Sequence, residues 1–156
     1  MNDAPRDASF ADADEGPLRL RGLDGEDLTV ISALVQDAVV TVGDVSYLRQ
    51  HRRFAALVNR FRWEGHTRTP ERVRSMLVIE DVLAVRSQGV DPRDKDTVLS
   101  ILSLGWEPGE DGAGRILVTL AGDGALAIEV EALEVLLQDV TKPYLAPSRK
   151  APHHPE

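Results

Sequence analysis

From residue 45 to residue 130 apolar side chains recur at every second position in one short segment after another, and this period of two commits the chain to a β-rich fold. The clearest segment is 54–64. There Ala55, Leu57, Asn59, Phe61 and Trp63 share one face, while Phe54, Ala56, Val58, Arg60, Arg62 and Glu64 share the other. The second face is apolar early and charged late, as in a strand that bends from a covered region into solvent in a curved sheet or small barrel. Phe61 and Trp63 are expected in the core. Asn59, on their face, is expected to be buried and to need hydrogen-bond partners.

Shorter segments of the same kind fall at 45–49, 73–79, 82–87, 98–106, 116–120 and 125–130, separated by turn-forming residues such as Glu80 with Asp81 and the hairpin sequence Gly122-Asp123-Gly124. That makes seven strands. Ahead of them, Leu18 and Leu20 alternate with Arg19 and Arg21, a short strand. Asp24 and Asp27 then form a capping pair for a helix whose apolar face is Leu28, Ile31, Leu34 or Val35, and Ala38. Beyond the strands, Leu133, Leu136, Leu137 and Val140 stand at i, i+3, i+4 and i+7. This spacing predicts a short amphipathic helix ended by Pro143.

The expected fold is therefore α+β and mostly antiparallel: a seven-stranded curved sheet or partly open barrel with a C-terminal helix, preceded by an extra N-terminal strand and helix. This element order resembles pleckstrin-homology-like domains, in which a C-terminal helix plugs one end of two orthogonal sheets. A generic antiparallel α+β sandwich is the alternative. One domain over 17–142 is expected, between an acidic tail at 1–16 and a Pro-rich tail at 143–156, both reading as disordered.

The chain of 156 residues has no cysteine, which excludes disulfides and thiolate chemistry. No window approaches the ~20 apolar residues of a membrane helix, since even 73–90 is broken by Arg74, Glu80, Asp81 and Arg86. A cytoplasmic location without a membrane partner is expected. The sequence leaves the oligomeric state open.

Charge is distributed unevenly. Eight arginines and two acids, Glu64 and Glu71, lie between Arg49 and Arg74, so a chain of net charge −8 holds a stretch of +6. Arg52, Arg53, Arg60, Arg62, Arg68, Arg72 and Arg74 could line adjacent strands and hold a carboxylate or phosphate through paired guanidinium donors. The competing reading is that they pair with the plentiful acids, at about 0–1 kcal/mol per exposed pair. Asp37, near a helix C-terminus where the dipole disfavours an anion, needs a compensating cation. It could meet Asn59, Arg60 and Arg72 in one polar pocket or form a structural ion pair.

Recognisable catalytic patterns are missing from the sequence. No serine sits in a Gly-x-Ser-x-Gly turn, and Gly109, Gly112 and Gly114 precede a strand where a phosphate-binding loop would precede a helix. His51, His66, His153 and His154 lack metal-ligand spacing, and Asp91, Asp94 and Asp96 lack the glycine and terminal glutamate of a calcium loop. No metal or cofactor is expected. The function expected is a non-catalytic binding or scaffolding domain whose arginine face, with Asp37, Arg53, Asn59, Arg60, Arg62, Arg72 and Arg74 as candidate residues, takes an acidic protein segment or a small anion. The alternative is an enzyme with a pocket of Asp37, Asn59, Arg60 and Arg72. A second alternative, nucleic-acid binding, is opposed by the acidic whole-chain field and by Phe61 and Trp63 facing away from Arg60 and Arg62.

Several residue strings add a second resemblance. Glu26-Asp27-Leu28, Val30-Ile31-Ser32-Ala33, Gln36-Asp37-Ala38-Val39, Arg53-Phe54, Asn59-Arg60-Phe61-Arg62-Trp63-Glu64, Arg72, Arg86 with Gly89, and the Gly122 hairpin leading into Glu131 resemble a domain-of-unknown-function family of small alphaproteobacterial proteins, family 2948. The resemblance spans nearly all of 18–140. It implies a single intracellular domain and assigns no chemistry.

Overall fold

The computed structural model describes residues 6–7, 16–65 and 70–145. Most of the expected acidic tail, the Pro-rich tail beyond residue 145, His66 and Arg68 lie outside the described residues. In chain order the elements are β1 (Arg6–Asp7), β2 (Arg19–Gly22), α1 (Gly25–Leu34), β3 (Val39–Thr41), β4 (Val45–Leu48), β5 (Arg53–Phe61) and β6 (Glu71–Ile79). They continue with β7 (Val82–Gln88), β8 (Val98–Pro108), β9 (Gly114–Leu120), β10 (Ala125–Val130), β11 (Val135–Asp139) and β12 (Tyr144–Leu145).

The strands form one sheet that is not closed, in the order β1-β2-β11-β6-β5-β3-β8-β9-β10-β7, with β4 added to β5 and β12 to β6. Every pairing is antiparallel except β1 with β2. The sheet folds over on itself at β8. Residues Val98 to Ser100 pair with β3, and from Ile101 onward the strand pairs with β9, with an irregular register between Ile101 and Ser103. Such an irregularity bends a strand and lets one element serve two layers. At the opposite corner β6 turns into β7 through Glu80 and Asp81, and Asp81 takes a left-handed backbone (φ 56°) that an aspartate tolerates. The Glu80 amide donates to Glu134 O (3.0 Å) and the Glu131 amide to Asp81 O (2.9 Å), fastening this corner to the β10–β11 connection.

The inner face of the first layer comprises Leu18 and Leu20, Val135 and Leu137, Leu77 and Ile79, and Phe54, Ala56 and Val58, all buried. Ile116, Val118, Ile128 and Val130 cover them from β9 and β10. Each fully buried aliphatic contributes about 1.5–3 kcal/mol. The core face of β5 is thus that of Phe54, Val58 and Arg60. Asn59, expected inside, is on the outer face and half-buried. Phe61 is buried there at the end of β5, edge-on to half-buried Trp63 (centroids 4.7 Å apart).

The N-terminal helix forms as its capping pair predicts. The Asp27 amide donates to Asp24 Oδ1 (2.8 Å), and the Leu23 amide donates to Asp27 Oδ2 (3.0 Å). Leu28, Ile31 and Leu34 are buried where α1 packs on β2 and β8, and the Leu104 amide donates to Ser32 Oγ (2.9 Å).

The C-terminal helix is a correction: that segment is strand β11. Its apolar run Val135-Leu136-Leu137 satisfies either period, and long-range pairing decides between them. Both edges of β11 find partners, β2 on one side and β6 on the other, and burial alternates with Val135 and Leu137 inward. Val140, needed for the helical stripe, is half exposed (49%). The seven segments expected over 45–130 are β4 to β10, but the sheet is not seven-stranded: β1, β2, β3, β11 and β12 join it, giving twelve strands among the described residues. The plan thus lacks the helical plug of a pleckstrin-homology-like barrel.

Candidate functional site

Alternation along β5 sends consecutive residues of the arginine segment to opposite sides of the sheet. Arg60 points inward with Val58, where it is fully buried. A buried guanidinium must satisfy five N–H donors, and this one does so through two other strands, a turn and the Phe61 carbonyl of its own strand. Arg60 binds Glu64 in a fork, Nη1 to Oε1 (2.8 Å) and Nη2 to Oε2 (2.7 Å). Its Nη2 also reaches Asp139 Oδ1 (3.0 Å) on β11, and its Nε reaches Ser75 Oγ (3.0 Å) on β6. Ser75 donates in turn to Asp139 Oδ1 (2.7 Å), while Asp139 Oδ2 accepts the Leu18 amide (2.9 Å) beside β2. Glu64 is brought back under Arg60 by the turn after β5, where the Gly65 amide donates to Arg62 O (3.1 Å) and Trp63 Nε1 donates to Gln36 O (3.1 Å).

Burial acts to lower the Arg60 pKa, but the hydrogen bonds and charges of Glu64 and Asp139 outweigh it, so the pKa is raised. The group is a permanent cation locked by two carboxylates, each almost wholly shielded from solvent. Its geometry is that of a structural clamp across β2, β11, β6 and β5.

The outer face holds a different network. Arg72 Nε donates to Asn59 Oδ1 (2.8 Å), its Nη2 to Asn59 O (3.2 Å), and Asn59 Nδ2 donates to the Tyr144 hydroxyl. Register explains the meeting, since Tyr144 of β12 pairs with Arg72 and Arg74 pairs with Asn59. Arg72 also approaches the Asp37 backbone carbonyl (3.5 Å). Asp37 has a left-handed backbone (φ 63°) three residues past α1, and its amide donates to Ile101 O (2.8 Å). Arg74 is exposed and forms no ion pair among the described residues. A surface pocket of about 200 Å³ lies beside it, lined also by Val39, Leu57, Asn59, Val98 and Asp44. Asp44 follows β3, which lies across β5 from β6, so the pocket lining carries one cation and one anion.

Four arginines of the segment are thus accounted for by acids. Besides Arg60, Arg52 pairs with Glu131 (2.6 Å), Arg53 with Glu80, and Arg62 with Glu71 (2.8 Å). The hydrogen bond to Glu131 raises the Arg52 pKa, as that to Glu80 raises Arg53. Arg49 instead lies over the Tyr47 ring, 5.5 Å from its centroid. Of the proposed pocket, Asp37, Asn59 and Arg72 converge, whereas Arg60 stands on the other side of the sheet. Among the described residues no three His, Asp or Glu side chains group as metal ligands, and no helix is long and apolar enough to cross a membrane.

The family model described as "protein of unknown function (DUF2948)" matches residues 18–154. The chain belongs to this family. No curated protein matches it, and no solved structure does.

In this family member the sequence reading missed Ser75, Glu64, Asp139 and Tyr144 as partners. Ser75 was legible as a polar residue between inward-facing Val73 and Leu77. Asp139 was not, because the face it occupies follows from β11 being a strand. Tyr144 lies past Pro143, where no periodic pattern signals a return to the sheet.

Proposed function

We propose that the protein is a non-catalytic binding domain whose outer sheet face, at Arg72 and Arg74, takes an acidic protein segment or a small anion. The observation that carries this reading is the exposed guanidinium of Arg74, two residues from Arg72 on one face of β6 and without a carboxylate partner among the described residues, while Arg52, Arg53, Arg60 and Arg62 are all paired. Asn59 and Tyr144 hold Arg72 in place, which reduces the entropy lost when a carboxylate docks. Asp44 lines the pocket from beyond β5, so an anion meets less repulsion when it approaches from the β12 side of β6. In the cytoplasmic setting expected from the sequence, exposed pairing of this kind gives weak, salt-sensitive association.

The enzyme reading loses ground because Arg60 is sealed inside the sheet and Asp37 meets Arg72 through its backbone carbonyl. Nucleic-acid binding is disfavoured by the neutralised arginines and the net charge of −8. The test is a low-salt titration with a Glu-rich peptide and with citrate. Binding that weakens with salt and is abolished by Arg74→Glu supports the reading; binding unchanged in that variant, or no binding by either probe, overturns it.

A further inference from the structure

A second cavity has no counterpart in the sequence reading. The outer edges of β4 and β7 find no strand partner among the described residues, since β4 pairs with β5 and β7 with β10. These edges face each other across a seam that is tacked at one end. The Val82 amide donates to Arg52 O (2.8 Å), and the Tyr47 hydroxyl donates to Leu83 O (3.4 Å). Beyond that tack the seam opens into a cavity of about 420 Å³.

The cavity reaches the interior. Its floor includes Phe54, which is 3% exposed, with Leu99 and Leu126, and its walls are Val45 and Val85. This volume lies within the ~300–1,000 Å³ of small-molecule sites, and mouths of β-barrels are among their usual places. Two cations, Arg49 and Lys95, stand among the lining residues, both exposed, and no carboxylate joins them. Neither has an acid partner among the described residues. Asp91, the lining-loop acid nearest Pro92, is engaged by Arg93 (3.2 Å).

A largely apolar chamber whose two charged lining residues are both cations is complementary to an amphiphilic anion, although Asp94 and Asp96 flank Lys95 in the chain. We propose that the seam between β4 and β7 binds an alkyl carboxylate, its chain against Phe54, Leu99 and Leu126 and its headgroup at Arg49 and Lys95. A peptide strand laid along the free edges would draw on backbone pairing, yet the cavity is lined by inward side chains and runs into the core, which suits a narrow chain. This site shares no residue with the Arg72 and Arg74 face, so the two proposals stand or fall separately.

The experiment compares decanoate, decanol and acetate against the full chain by calorimetry and thermal shift, below the micellar range of the amphiphiles. Decanoate is expected to bind and raise the melting temperature by mass action, and acetate to do neither. Decanol should bind about ten- to a hundredfold more weakly, the factor set by losing charge-assisted hydrogen bonds. The double change Arg49→Gln with Lys95→Gln should bring decanoate down to the decanol level and leave decanol unchanged. Leu126→Trp, which fills the chamber, should abolish both while preserving the circular dichroism spectrum.

Absence of decanoate binding overturns the proposal, as does equal affinity for decanol and decanoate. Undiminished binding in a folded Leu126→Trp protein places the ligand elsewhere and also overturns it. Loss of decanoate binding in Arg74→Glu would move the carboxylate to the outer face and refute the seam site. Competition by an amidated hydrophobic peptide as strong as that by decanoate would show that the seam reads a peptide, against the proposal.

Discussion

Arg60 and Asn59 are neighbours in the chain, and the two sides of the sheet turn them into opposite kinds of site. On the inner side, a guanidinium with no solvent exposure meets Glu64, Asp139 and Ser75, so every strong contact is internal. On the outer side, Arg72 and Arg74 sit one strand away with an amide and a phenol for company, and Arg74 keeps its charge in water. A run of positive residues along a strand is therefore split by the pleat into one set that stabilises and one set that remains available. Local charge density in the sequence measures the sum of the two.

The difference is sharpest when a cation is removed. Arg60→Met would leave the carboxylates of Glu64 and Asp139 buried without their guanidinium, an imbalance that typically costs about 3–5 kcal/mol. Chemical denaturation should show that loss. Neutralising the acids as well, in Arg60→Met with Glu64→Gln and Asp139→Asn, should recover part of it, since the penalty arises from unpaired charge. A single Arg60→Met protein as stable as the parent would break the contrast between the two faces.

A middle-sized effect is expected at Asn59→Ala, which removes the acceptor of Arg72 Nε and the donor to Tyr144 in a half-buried place. About 1 kcal/mol is the expected cost, with β12 released first because Asn59 ties it to β5. Hydrogen exchange at Tyr144 and Leu145 should rise more than exchange at Val58. Smaller still, Arg74→Ala should alter stability by no more than about 0.5 kcal/mol, as for most exposed positions. A larger loss would place Arg74 in the structural set and remove the basis for the binding face.

Much of this fold was legible because turns and alternation agree. The strand starting at Val45, the hairpin at Gly122 and the cap at Asp24 all fall where local chemistry puts them, with Gly122 and Asp123 both in the left-handed region (φ 79° and 69°). The segment that forms β11 was misread because its apolar run Val135-Leu136-Leu137 fits a helix and a strand alike. Only the presence of β2 and β6 on either side, more than fifty residues distant in sequence, resolves that ambiguity. The face of β5 was misjudged for a related reason: Arg60 looked like solvent exposure because its partners, Ser75 and Asp139, come from other strands. A charged residue on a core face is indistinguishable in one dimension from a charged residue on a surface.

An exposed cross-strand pair supplies the lower end of the scale. Glu107 on β8 and Arg115 on β9 are register partners 2.7 Å apart, each about half exposed, and the hydrogen bond from Arg115 holds the Glu107 carboxyl below its ordinary range. A carboxyl depressed in the folded state adds stability that is present above its unfolded pKa and disappears as pH falls through the lower folded value. Glu107→Gln should therefore be slightly less stable than the parent at neutral pH, and the gap should close as the solution is acidified through and below roughly pH 4. Raising salt should shrink the same gap at neutral pH, because both groups face solvent. The deficit of Arg60→Met should persist in high salt, since its carboxylates lie where counter-ions do not reach. Equal salt sensitivity in the two variants would mean that the Arg60 clamp is hydrated, and the distinction between an inner and an outer set of arginines would fail.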